Sequence, residues 1–146
     1  MQNDIFRDIL TCIRNAIHIK NPGVEIPKTR LTKSLAQILL QEGLISEVTD
    51  SRLSQKDPSI INKNHCQQKE YLFLRLKYFG VERTSVITEL QRVSRSGLRI
   101  YTDYNRIPKI FGGLGLIILS TPKGLITDRE ARQSKLGGEI LCSIWS

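Results

Sequence analysis

The chain has 146 residues, with 22 Lys and Arg against 14 Asp and Glu, a formal charge of +8 and an isoelectric point near 9.7. A chain of this length buries roughly 68–70 % of its unfolded surface, so it supports a core without staples. The surplus cations point to a polyanion, nucleic acid before a membrane surface. Cys12, Cys66 and Cys142 are odd in number and far apart, which argues against a disulfide framework or a metal knuckle and for a reducing compartment. No apolar run approaches about 18 residues, and the start, Met1-Gln2-Asn3-Asp4, is polar. A soluble protein with no membrane partner and no targeting segment is expected.

In chain order, Asn3 or Asp4 caps a helix whose apolar positions Ile5, Phe6, Ile9, Leu10, Ile13, Ala16 and Ile17 follow helical spacing. Asn21-Pro22-Gly23 ends it, and Val24–Pro27 reads as a short strand whose proline suits an edge or an end. A second helix follows, capped by Thr29, with Leu31, Leu35, Ile38 and Leu39 inward and Gly43 as a left-handed stop. Lys28, Arg30 and Lys33 gather at its start, where cations oppose the helix dipole. A polyanion there would relieve the conflict; a solvated basic turn is the other reading.

Leu44–Val48 reads as a strand. Tyr71–Tyr78 is a clearer one, because Leu72, Leu74 and Leu76 alternate with Phe73, Arg75 and Lys77. Residues 50–69 are polar and aperiodic, a long inserted hairpin tip in which His65 and Cys66 are incidental. The pattern changes after that, and a boundary near residues 79–84 separates an N-terminal domain, 1–79, from a C-terminal one, 80–146. Val86–Val93 and Leu98–Tyr101 form a basic hairpin around Ser94-Arg95-Ser96-Gly97. The fold class is α+β: two small α/β domains, the first with two helices and a three-stranded sheet, the second mostly β with one short helix.

Near the C-terminus a buried strand, Leu116–Leu119, delivers Ser120-Thr121-Pro122-Lys123-Gly124 to an exposed turn. Thr127 and Glu130 are spaced as a capping box that starts a helix through about Ser134, ending by Gly137. Gly137-Gly138 lets the backbone approach something closely, Glu139 follows, and Ile140–Ile144 is a last strand. Gly112, Gly113 and Gly115 precede a strand instead of following one, and no phosphate-loop, HExxH or GxSxG pattern occurs. No enzyme, metal or cofactor is expected. A hydrolase built on Ser120, His65 and Glu139 would need the inserted tip to reach the turn, and a basic adaptor for an acidic partner rests on charge alone.

Gln91–Tyr101, Ser120–Gly124, Thr127–Arg132 and Leu136–Cys142 together resemble the signature of the small-subunit ribosomal protein eight family, as do Ile13-Arg14-Asn15 and Glu42–Ile45. The resemblance covers nearly all of the chain except residues 50–69. Arg106–Lys109, Gly112-Gly113 and Ile144-Trp145 are similar to the plastid branch more than the bacterial one. A chloroplast ribosome is therefore expected, from a protein made inside the organelle, with the bacterial cytoplasm as the alternative.

The resemblance implies a binder of the central domain of small-subunit ribosomal RNA that helps nucleate platform assembly beside neighbouring small-subunit ribosomal proteins. Binding of its own messenger RNA is a further family possibility. RNA contact is implied for Ser120, Thr121, Lys123, Gly124, Gly138, Glu139 and Tyr101, with Arg95, Arg99, Lys109 and Arg30 supplying charge. The chemistry suits such contact, because A-form RNA hides its major groove and proteins read distorted loops, sugar hydroxyls and phosphates instead. Small hydroxyls and glycine amides approach a sugar edge where long side chains do not fit. Capping of their own turn is the structural reading of the Ser120-Thr121 pair. Three departures stand out: Pro122 where the family usually has a serine, Ser96 where it commonly has proline, and Arg30 for a common lysine.

Overall fold

A computed structural model describes residues 5–52, 70–95, 97–109 and 115–145. The expected cap at Asn3 or Asp4, the tip with His65 and Cys66, Ser96, and Gly112-Gly113 lie outside the described residues. The order is α1 (Ile5–His18), β1 (Gly23–Pro27), α2 (Arg30–Gln41), β2 (Ile45–Arg52), β3 (Glu70–Leu76), β4 (Tyr78–Phe79) and β5 (Thr84–Ser85), continuing with β6 (Glu89–Arg92), β7 (Tyr101–Thr102), β8 (Gly115–Thr121), β9 (Gly124–Thr127), α3 (Asp128–Ser134) and β10 (Gly138–Trp145). The class is α+β.

Helical spacing in α1 turns Phe6, Ile9, Leu10, Ile13 and Ala16 inward, and all five are buried. The start of α2 is fixed by Thr29, whose side chain accepts from the Thr32 amide while the Thr32 hydroxyl accepts from the Thr29 amide. Its end is a Schellman closure: Gly43 N–H donates to Leu40 O, Leu44 N–H donates to Leu39 O, and Gly43 has φ +74°. Both helices cover an antiparallel sheet of order β1-β3-β2. Pro27 ends the edge strand β1, where a missing N–H breaks no interior ladder. β2 runs past the expected Val48 to Arg52 and pairs with β3 as far as Glu70. Thr49 and Asp50 there are exposed and held by main-chain pairing, so alternation does not reveal them.

The second sheet has order β6-β10-β8-β9, with β7 also on β10. This corrects the hairpin expected from residues 86–93 and 98–101. β6 pairs with Cys142–Trp145 and β7 with Gly138-Glu139, both antiparallel to β10. Between them, among the described residues, the one β-bridge joins Arg95 and Leu98. The two segments therefore lie one after the other along β10 instead of face to face. α3 runs to Ser134, the end expected for it, where Lys135 takes φ 54° and its N–H donates to Ala131 O. Leu125 and Ile126 belong to a strand, β9, too short to show a period.

One buried cluster joins the two halves. Ile9, Ile13, Leu35 and Leu74 share it with Leu90, Leu116, Ile118, Cys142 and Ile144. A smaller cluster of Ile117, Leu119, Ile140, Ala131 and Ile107 fills the opposite face of the second sheet, under α3. A fully buried leucine or isoleucine contributes about 1.5–3 kcal/mol, so β8, apolar on both faces, is anchored twice.

Cys12 is exposed and Cys142 buried, and burial pushes the Cys142 thiol up to about 12 from 9.0. Folding therefore holds the proton on Cys142. Its contribution to stability is fully present below about pH 9 and is lost as pH rises from 9 toward 12. Alkylation at pH 8 is expected to modify Cys12 in the native protein and Cys142 only on unfolding, and peptide mass mapping with and without urea checks this.

Candidate nucleic-acid interface

The turn between β8 and β9 contains Pro122 and Lys123, with Thr121 paired to Gly124. Proline fixes φ near −65°, which excludes the primed turns common in two-residue hairpins. Gly124 takes up the mismatch with φ +111°, a conformation that favours glycine. The Thr121 hydroxyl donates to Gly124 O at 2.9 Å, and its side chain is buried. That threonine thus fastens its own turn. Lys123 is exposed beside it.

Strand register places Ser120 opposite Glu139 and Glu139 opposite Tyr101. Cross-strand partners project from the same face. Tyr101, Glu139 and Ser120 consequently form one row over three strands, roughly 10 Å long at about 4.8 Å per strand spacing. On β8 the pleat puts Ser120 on the same face as Leu116 and Ile118, the face packed in the larger core. The row is where that face leaves the core. Tyr101 is 70 % exposed, and the Glu139 Oε1 accepts from Arg99 Nη1 at 3.1 Å.

Two glycines make the row possible. A Cβ on Gly138 would lie 2.2 Å from Ser120 O, and one on Gly137 would lie 2.5 Å from Thr102 O. The close approach expected of this pair is therefore to the neighbouring strands on both sides. β10 can lie between β7 and β8 only because no side chain intervenes.

Internal ties that left little sign in the sequence hold the segments that carry the exposed cations. The buried Ser94 hydroxyl accepts from Ile100 N–H at 3.0 Å and faces Ile100 O at 3.4 Å. This closes the loop that carries Arg95 and Arg99, both exposed. Arg92 Nε donates to Ser94 O and its guanidinium sits over the Phe6 ring, 5.2 Å from the centroid. The loop is thus tied to α1. Arg132 Nη1 binds Asp128 Oδ2 at 3.0 Å, and Arg132 Nη2 donates to Ile107 O and Pro108 O at 3.4 and 3.3 Å. That fork fastens the strap next to the exposed Lys109 to α3. The i,i+4 spacing of Asp128 and Arg132 was the available signal for it.

Arg30 is exposed at the first position of α2, outside the row. Its neighbour Lys28 is neutralised by Asp50 and Glu70, each at 3.3 Å, and hydrogen bonds to the two carboxylates raise its pKa. Among the described residues no group of three or more His, Cys, Asp or Glu side chains could hold a metal ion. No helix in them is long and apolar enough to cross a membrane.

The fold and the row define a small α+β protein that presents hydroxyl, carboxylate and aromatic groups within a basic surface, the kind of surface that reads an irregular polyanion. A family profile described as ribosomal protein S8 matches residues 4–145. The chain is 45 % identical over 145 residues to the small ribosomal subunit protein uS8c of Marchantia polymorpha, and 46 % identical to the proteins of that name from Anthoceros angustus and Mesostigma viride. Each comparison covers 99 % of this chain and 100 % of the relative. The chain belongs to the ribosomal protein S8 family, whose members are structural, non-enzymatic components of the ribosome.

Gly138→Ala is expected to destabilise the protein by about 1–3 kcal/mol or more through backbone overlap. Ser94→Ala removes the acceptor of the half-buried Ile100 N–H, at about 0.5–1.5 kcal/mol. Urea denaturation of each variant measures both.

Proposed function

We propose that this protein is a structural constituent of the small ribosomal subunit that binds directly to ribosomal RNA through the Tyr101–Glu139–Ser120 row and the β8–β9 turn. The observation that carries the reading is the row itself: three chemically different groups in fixed register, with Arg99 bonded to Glu139 and Lys123 on the adjoining turn. The relatives named uS8c support a place in the small subunit, and their plant and algal sources support the ribosome of the plastid.

The groups divide the work. The Ser120 hydroxyl both donates and accepts, so it serves a base edge or a 2′-hydroxyl. Glu139 repels phosphate; it holds Arg99 on one oxygen and offers the other to a base amino group or a sugar hydroxyl. The exposed Tyr101 ring packs on a ribose or an unstacked base. Thr121 and Gly124 shape the turn, Gly138 lets the strands close up, and Lys123, Arg95 and Lys109 meet phosphates. Arg30 provides general attraction from outside the row. Within the particle, the RNA partner is the central domain, and early binding there nucleates the platform.

Two classes of variant separate reading from attraction. Ser120→Ala should lower affinity for a looped RNA helix by roughly two- to tenfold, one hydrogen bond's worth, and leave binding to a fully paired helix unchanged. Lys123→Ala should weaken both RNAs alike and reduce the salt slope by about one. Titrations by filter binding over a salt series check this. Equal affinity of the wild type for both helices would refute the proposal.

A further inference from the structure

We infer that the β4–β5 ribbon and the end of α1 form a docking surface for a neighbouring ribosomal protein with an apolar pocket and an acidic rim. Phe79 is 59 % exposed, Ile19 is 70 % exposed and Val81 is fully exposed. Such clustering of large apolar side chains on a surface marks an interaction site, unlike single exposed residues. Two long-range hydrogen bonds bring the pieces together: Lys20 Nζ donates to Glu82 O at 2.8 Å, and Tyr78 Oη donates to Asn21 O at 2.6 Å. The patch is therefore a built surface joining two elements.

Its backbone is also unusual. Three non-glycine residues among those described have positive φ, and two of them, Lys20 at 58° and Arg83 at 52°, flank this patch. Gly80 at 79° stands between Phe79 and Val81. Lys20 is the left-handed closure of α1, its N–H donating to Ile17 O and the Asn21 N–H to Ala16 O. Gly80 and Arg83 close the tip that carries Val81, the Arg83 N–H donating to Gly80 O.

Charge selects the partner. Lys20, Lys77 and Arg83 surround the apolar residues, and among the described residues none of the three makes a salt bridge, while Glu82 is the single carboxylate in residues 77–85. Phosphates would satisfy the cations, yet RNA offers no aliphatic surface to cover Val81 and Ile19. A protein pocket edged with Asp and Glu satisfies both sets. Position keeps the surface free when RNA is bound. The ribbon leads into Thr88, whose N–H donates to Trp145 O at 2.8 Å, at the far end of β10 from Glu139. Six residues of strand separate those ends by about 20 Å.

The test uses full-length protein carrying p-benzoylphenylalanine in place of Val81, assembled into small subunits and irradiated. Nuclease and protease digestion followed by mass spectrometry should identify a cross-link to another ribosomal protein, in a peptide containing Asp or Glu. A cross-link to RNA, to a second copy of this chain, or to nothing would overturn the inference. In parallel, Val81→Asp should bind looped RNA as the wild type does, yet be outcompeted at least tenfold for incorporation into subunits. Equal incorporation would equally overturn it. Retained RNA binding in the free variant separates this failure from a failure of the RNA reading.

Discussion

Pairing along β10 is the constraint on which the rest of the structure depends. Its first residues, Gly138 and Glu139, lie between β7 and β8, and its last four pair with β6. Between these stretches the register with β8 shifts from Ile140 to Cys142. A bulge of this kind adds a residue on one strand and strengthens the local twist. It lets Leu141 and Cys142 both join the large core while Ile140 serves the small one. The strand thereby changes from a buried spine at one end to a presenting edge at the other.

The proposed RNA contact rests on that change of environment. Apolar side chains fix β8 and β10 rigidly, so the polar residues at their ends are held in place without loops of their own. Ser94, Arg92 and Arg132 extend the rigidity outward, each through bonds to main-chain carbonyls or amides. Under the proposed RNA reading this preorganisation matters, since a hydroxyl that must first be ordered loses part of its net worth of about 0.5–1.5 kcal/mol. The Arg99–Glu139 pair adds a second effect: it keeps a carboxylate compatible with a polyanion by placing a cation against it.

Legibility in the sequence divides along physical lines. Elements with a period and a cap are readable: α1 from its stripe, α2 from Thr29 and Gly43, β3 from Leu72, Leu74 and Leu76. β8 is readable as a buried run, yet its continuous apolarity marks neither face, so the row it shares with Glu139 and Tyr101 does not follow from it. The partners of residues 86–101 are hidden because a basic turn between two apolar segments looks like a hairpin, and nothing local reports that both segments prefer β10. The meaning of Gly137-Gly138 is half visible. A need for close approach can be read, but the neighbour, a strand on each side, is a tertiary fact. The ties made by Ser94 and Arg132 span loops and leave almost no local trace.

If RNA is read at the emerging ends of β8 and β10, amide chemical-shift mapping will show it most plainly, with uniformly 15N-labelled protein titrated with an RNA helix bearing an irregular internal loop. The largest changes should fall on residues 99–101, 120–124 and 138–139, with smaller ones near Lys109, while residues 19–20 and 77–83 stay still. Changes centred on the ribbon or on α1, with the row unmoved, would contradict this.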